Sequence, residues 1–173
     1  METPEITTED SNIFNAIFHE CLATEDEYKY ISSSKINLEK FQHITTHDFN
    51  TSLCVLEFNR IIEIYNKTSL DACRITTTGF KKYVKDNDID LSKTQKDIIL
   101  RIYNQGGGTS FIDCSSVVIS PRSYNEYCGF ILRELQDNDI IKYDRSKPGL
   151  INILYCSPIL LRIISNKKWL EAE

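Results

Sequence analysis

Leu91-Ser-Lys-Thr-Gln-Lys-Asp-Ile-Ile-Leu-Arg-Ile-Tyr-Asn-Gln105 and the residues after it, as far as Cys156, decide how this chain is read. Ile98, Ile99, Ile102 and Tyr103 recur at helical spacing and form one apolar stripe. Ser92 and Gln95 have the spacing of a capping box, and Gly106-Gly107-Gly108 stops the helix because glycine takes left-handed backbone at little steric cost. Thr109 to Val118 is expected as a second helix, broken at Ile119-Ser-Pro-Arg122. Ser120-Pro121 is a start signal: Ser can cap, and Pro suits the first helical position. Ser123 and Glu126 offer another capping box, and Tyr124, Cys128, Ile131, Leu132 and Leu135 share one face. A third helix is therefore expected over 120–138, ended by Gln136-Asp-Asn-Asp139. Ile140 to Asp144 and Leu150 to Cys156 read as two strands around a turn at Arg145-Ser-Lys-Pro-Gly149, a hairpin over 140–156.

Helix, helix, helix, hairpin in this order resembles the winged-helix family of helix-turn-helix domains. The resemblance implies a mainly α fold with small β-hairpin wings. It also implies that the third helix enters the DNA major groove by its N-terminal half while the wing touches the backbone. Carried onto this chain, Arg122, Ser123, Asn125, Glu126 and Tyr127 fall near bases, and Lys142, Arg145 and Lys147 near phosphates. The expected function is that of a transcription regulator reading double-stranded DNA. The alternative is a non-enzymatic tandem winged-helix scaffold subunit, since the same fold serves protein complexes. A basic stripe from Arg122 to Arg145 would favour DNA, and an exposed apolar patch including Phe130 would favour a protein partner. Residues 119–149 hold five basic and five acidic groups, which gives phosphate little attraction.

Upstream, residues 1–10 read as a disordered acidic lead-in, and Asn12 to Leu22 as an amphipathic helix on Ile13, Phe14, Ile17, Phe18 and Cys21. Ala23 to Ser34 reads as a loop, Asn37 to Ile44 as a short helix, and Phe49 to Tyr65 as a longer one. Asn66 to Ser69 is a turn, Leu70 to Ile75 can be a strand, and Thr76 is placed to cap a helix holding Phe80, Tyr83 and Val84. The run Arg74-Ile-Thr-Thr-Thr-Gly79 resembles the passage from a wing into a last helix. Ile61–Leu70 can be set against Ile140–Gly149, and Cys73–Thr76 against Tyr155–Pro158, a repeat of about 79 to 83 residues. Two winged helices in tandem are thus expected, at 11–88 and 89–173. One winged helix with a helical, dimerising N-terminal extension is the other arrangement. Both close on a helix over Pro158 to Ala172 with Ile159, Leu160, Ile163 and Ile164 inward and Trp169 near its end.

Composition narrows the classes. The chain has 173 residues, 41% of them hydrophobic, enough for one or two cored domains. No apolar run reaches the roughly 18 residues of a membrane span. The start, Met-Glu-Thr-Pro-Glu5, has no apolar core of a signal peptide, so an intracellular place is expected, cytoplasmic, or nuclear in a eukaryote, with all six cysteines reduced. The net charge of −5 is uneven: residues 1–59 hold 3 basic and 11 acidic groups, and the remainder 17 and 14. His43 and His47 stand four apart, but Thr45-Thr46 weakens a helix between them and no HExxH pattern surrounds them. His19, Glu20 and Cys21 are adjacent and point apart on a helix, and the three glycines lack the Lys of a phosphate loop. Asn50-Thr-Ser52 and Asn66-Lys-Thr68 match the glycosylation pattern, which has no meaning inside a cell. No enzyme, metal or cofactor is expected; duplex DNA, a protein partner or a homodimer is.

Overall fold

A computed structural model of the chain describes residues 3–24, 28–36, 44–105, 117–147 and 150–166, with Arg122, Ser146 and Lys147 described by backbone alone. The chain divides into two compact units, Met1–Ile89 and Asp90–Glu173.

The first unit begins with α1, Thr8–Ala23. Its start lies inside the stretch expected to be disordered. Thr7 Oγ1 accepts from Asp10 N while Asp10 Oδ2 accepts from Thr7 N at 2.8 Å, a reciprocal cap, and Asp10 is only 5% exposed. A short strand β1, Ile31–Ser32, and one 3-10 turn, Ser33–Lys35, follow where a loop was expected. The helix expected at 37–44 lies outside the described residues apart from Ile44. Helix α2, Thr46–Phe58, is capped by Thr45 and Asp48 in the same reciprocal way. The helix expected to run on to Tyr65 ends here, and Ile62–Ile64 is strand β2. Alternating Ile62 and Ile64 satisfy a strand's period of two as well as a helix's, so the apolar run alone did not mark the boundary. Strand β3, Ala72–Ile75, pairs antiparallel with β1 and β2, giving the order β1-β3-β2.

Thr76 then caps α3, Thr77–Asp86, by accepting from Gly79 N at 3.0 Å. The Thr76 hydroxyl donates to Arg60 O at 2.5 Å, with Ile61 O at 3.0 Å, and Thr76 N donates to Ile61 O at 3.1 Å. Helix α3 is thereby pinned against the end of α2. A side chain at Gly79 would place its Cβ 2.1 Å from Ile61 O, so only glycine permits this approach. The rings of Phe14, Phe18, Phe80 and Tyr83 join α1 to α3, with Phe18 stacked on Tyr83 at 3.8 Å.

The second unit repeats this plan. Helix α4, Ser92–Gln105, buries Ile98, Ile99 and Ile102. Its opening acceptor is the Asp90 carboxylate, which takes Ser92 N at 2.9 Å and the Ser92 hydroxyl, rather than a box between Ser92 and Gln95. Most of the helix expected at 109–118 lies outside the described residues, and Val118–Ile119 is strand β4. The helix expected over 120–138 is split. Pro121–Ser123 makes one 3-10 turn, Tyr124 leaves helical geometry at φ −116 and ψ −110, and α5 spans Cys128–Asp137. The box expected between Ser123 and Glu126 has no helix to cap. Instead Asn125 Oδ1 accepts from Tyr127 N at 3.0 Å, a turn that competes with helix continuation. Strands β5, Ile141–Lys147, and β6, Leu150–Cys156, form the hairpin, with Lys147 already paired to Leu150 where a wider turn was expected. The sheet order is β4-β6-β5. Helix α6, Ile159–Asn166, buries Leu160 and Ile164, whereas Ile159, expected inward, is 50% exposed; residues 167–173 lie outside the description.

The likeness of the units is sharpest where α2 and α5 turn into their hairpins. Arg60 and Asp139, separated by 79 residues, both sit in left-handed backbone, at φ 57 and φ 55. Arg60 N donates to Glu57 O and Ile61 N to Leu56 O; Asp139 N donates to Gln136 O and Ile140 N to Leu135 O. Both are the same helix-stopping motif, built here without glycine. Asn59 Nδ2 and Asn138 Nδ2 each reach back to the carbonyl four residues earlier, Val55 and Glu134. The hairpin registers pair Ile62 with Ile75 and Ile141 with Cys156, so Thr76 answers Ser157. The sequence alignment of that last segment was therefore one residue out.

Candidate nucleic-acid or partner interface

The residues expected at a DNA interface fall on three different pieces of the second unit. Arg122 and Ser123 belong to the 3-10 turn, Asn125 and Tyr127 to the link before α5, and Lys142, Arg145 and Lys147 to β5. Ser123, Glu126 and Lys142 are exposed, and Tyr127 and Arg145 half-buried. Asn125 is held inside the unit: its amide donates to Thr94 Oγ1 at 2.8 Å and its carbonyl oxygen accepts from Tyr127 N. Asp144 stands exposed two residues from Lys142, so the hairpin offers both signs of charge.

Helix α5 presents half-buried Gly129, Glu134 and Gln136 and one exposed residue to solvent. Cys128, Phe130, Ile131, Leu132, Arg133 and Leu135 are buried, and Asp137 is its exposed residue, followed by exposed Asn138 and Asp139. Phe130, whose exposure in an apolar patch would have favoured a protein partner, is 3% exposed, so that sign is not met. Arg133 is 5% exposed and lies 3.8 Å from Asp137.

The equivalent helix α2 in the first unit does present a face, and sequence reasoning did not select it. His47, Thr51, Cys54 and Phe58 are exposed and follow one another at helical spacing, with half-buried Asn50 beside them. Phe58 is 54% exposed. This stripe carries no lysine or arginine, and Asp48 and Glu57 stand beside it. The missed signal was available: carried back through the helices, the 79-residue repeat sets Thr51 against Phe130, Cys54 against Arg133 and Phe58 against Asp137.

The outer strand of each hairpin, β2 and β5, is guarded by the helix before it. Ile64 N donates to Glu57 Oε1 at 3.3 Å, and Tyr143 N donates to Gln136 Oε1 at 3.0 Å. Lys67, 78% exposed on its side chain, adds an ion pair to Glu57 at 3.3 Å. These side chains occupy edge N–H groups that an incoming strand would use. On the outer face of the first sheet, Arg74 forms two hydrogen bonds to Glu63 Oε2 at 2.7 and 3.0 Å, and Tyr30 donates to Glu63 Oε1 at 2.6 Å. The Arg74 guanidinium also lies 4.9 Å from the Tyr30 ring. Tyr65 meets Tyr30 edge-on at 5.2 Å and is 74% exposed.

Other candidate chemistry does not assemble. His19 lies edge-on to Tyr83 at 5.9 Å, while Cys21 is buried. Burial pushes the Cys73 thiol up to about 12, with Cys21 adding to the shift, which keeps it protonated at neutral pH. Cys21, Cys54, Cys73, Cys128 and Cys156 are free thiols. His43 lies outside the described residues and His47 is exposed on α2. Among the described residues no group of three His, Cys, Asp or Glu side chains could hold a metal, and no helix is long and apolar enough to cross a membrane. Comparisons with family models, with curated proteins and with solved structures find no match to this chain.

Proposed function

We propose that this chain is a tandem winged-helix protein that binds a protein partner. The winged-helix reading is supported by two units, each running helix, short strand, helix, hairpin and last helix, each with its first strand beside the last strand of the hairpin. The two helix-to-hairpin turns share their backbone geometry, a helix stop that also ends α3 at Asp88. The observation that carries the choice of partner is α5. A helix that reads the major groove must expose side chains toward base edges, and α5 exposes Asp137 beside Asn138 and Asp139. Helix α2 is open but lacks cationic side chains, within a unit of 9 basic and 15 acidic residues. Duplex affinity depends strongly on cations neutralising phosphates, so neither helix suits it.

The test is a fluorescence anisotropy titration of the folded chain against mixed-sequence duplex DNA at low and physiological salt. No saturable binding is expected at either. Saturable binding at low salt, weakened by Arg145→Ala and with a salt slope reduced by about one charge, would restore the DNA reading and place it on the second hairpin.

A further inference from the structure

We infer that the outer face of the second sheet, with Lys142 and Asp144 on β5 and Leu150 and Leu154 on β6, is a self-association surface whose occupant is the same face of a second copy of this chain. This goes beyond the reading above and does not depend on it.

Burial defines the face. Ile141, Ile151 and Ile153 are buried, so by a strand's period of two Lys142 and Asp144 point outward, with Leu150, Asn152 and Leu154 beside them. Lys142 and Asp144 are exposed, and Leu150 and Leu154 are 36% and 55% exposed. The first sheet closes the same face on itself: Glu63 stands opposite Arg74 and pairs with it, and the Tyr30 hydroxyl donates to Glu63. In the second sheet Lys142 stands opposite Tyr155 and Asp144 opposite Asn152, and among the described residues neither charge has an ion-pair partner.

Charge and register then name the occupant. Lys142 and Asp144 are two residues apart, about 6.6 Å along the strand. A two-fold axis lying in the face and crossing β5 at Tyr143 sets Lys142 against Asp144 of the second copy, and Asp144 against its Lys142. The hairpin register carries that axis across β6 beside Leu154, the extra residue where the pairing shifts between Lys142–Tyr155 and Tyr143–Ile153. Leu154 then packs on Leu154 of the second copy. Packed sheets cross at about 30°, which displaces residues least beside the axis, where these three sit. A foreign partner would have to present cation and anion in the opposite order around an apolar centre; a second copy does so by symmetry. The second unit holds 11 basic and 10 acidic residues, so two such units meet with little net repulsion. A face of three strands lies at the small end of interfaces, which makes the dimer weak and concentration-dependent.

Sedimentation velocity of the full chain from about 1 to about 300 µM reads the assembly. A reversible monomer–dimer equilibrium is expected, with a dissociation constant on the order of tens of micromolar. Leu154→Asp should weaken it at least about tenfold. Lys142→Glu and Asp144→Lys should each weaken it about tenfold, because each sets like charges together at two symmetric contacts. The double variant Lys142→Glu/Asp144→Lys should return to within about threefold of wild type, because the exchanged charges pair again. All three positions are exposed, so the variants should fold, which a thermal melt followed by circular dichroism checks. A monomer at every concentration, a dimer indifferent to Leu154→Asp, or single-variant losses that the double variant does not recover overturns the assignment.

Discussion

Helices α2 and α5 turn into their hairpins through the same hydrogen bonds, yet one presents a polar and aromatic stripe and the other is covered. The difference lies outside the turn. Leu56 and Leu135, Asn59 and Asn138, Ile61 and Ile140, and Ile62 and Ile141 are the same residues at the same places, and they specify the stop of the helix and the inward face of the strand. Thr51 against Phe130 and Cys54 against Arg133 are free of that constraint and differ. The two units thus share residues where the helix stop and the strand face demand them, and differ on the outward helix face.

The comparison breaks most sharply at the last helix of each unit. Gly79 in the first answers Leu160 in the second, counted from the paired ends of β3 and β6. Gly79→Ala sets a Cβ against the Ile61 carbonyl, and it should cost about 3 kcal/mol or force α3 away from the turn. Urea denaturation of the variant measures this, and a loss below about 0.5 kcal/mol would mean that α3 does not sit so close.

Acid should separate the units next. Burial alone would raise the Asp10 carboxyl, but hydrogen bonds from Ser52 and Thr7 outweigh it and hold the group below its ordinary value. Asp90, which opens α4, is also lowered, by its hydrogen bonds to Ser92, but is fully exposed. A lowered folded value means stability that is present above the unfolded value of about 3.9 and lost as pH falls through the folded one. The first unit should therefore lose more stability than the second below about pH 4. Asp10→Asn should cost about 2 kcal/mol at pH 7 and flatten that acid dependence, read from far-ultraviolet circular dichroism against urea across pH. An unchanged acid limb in the variant would show that other carboxylates carry it.

The edge guards sharpen the likeness. Glu57→Ala and Gln136→Ala each remove the acceptor of an outward strand N–H, and each should cost about 1 kcal/mol with faster amide exchange at Ile64 and Tyr143 respectively. Exchange that accelerates in one unit and not in the other would separate the two motifs. The smallest effect belongs to the left-handed residues. Arg60→Gly should stabilise by up to about 1 kcal/mol because arginine resists left-handed backbone, and Asp139→Gly by less because aspartate tolerates it better. A thermal melt resolves both signs, and destabilisation by either would contradict the shared helix stop.

By itself the sequence determined what is local and periodic. The apolar stripes of α1 and α4, the hairpin after Asp139, the cap at Thr76 and the 79-residue match of Ile61-Ile62 to Ile140-Ile141 could all be read from spacing, because each depends on neighbours within one or two turns. The reciprocal cap of Thr7 and Asp10 was equally local but was hidden by the acidic composition around it. Tertiary structure alone decided the rest. Strands β1 and β4 are two residues long and exist only because β3 and β6 pair with them. The Ile61–Tyr65 run suits helix or strand by pattern, and β3 lying alongside settles it. Asn125, chosen as a reader of bases, is claimed by Thr94, 31 residues earlier in the chain. Which of two equivalent helix faces stays open likewise depends on what the fold lays over Phe130 and Arg133 and leaves off Thr51 and Cys54, a long-range outcome that helical periodicity does not encode.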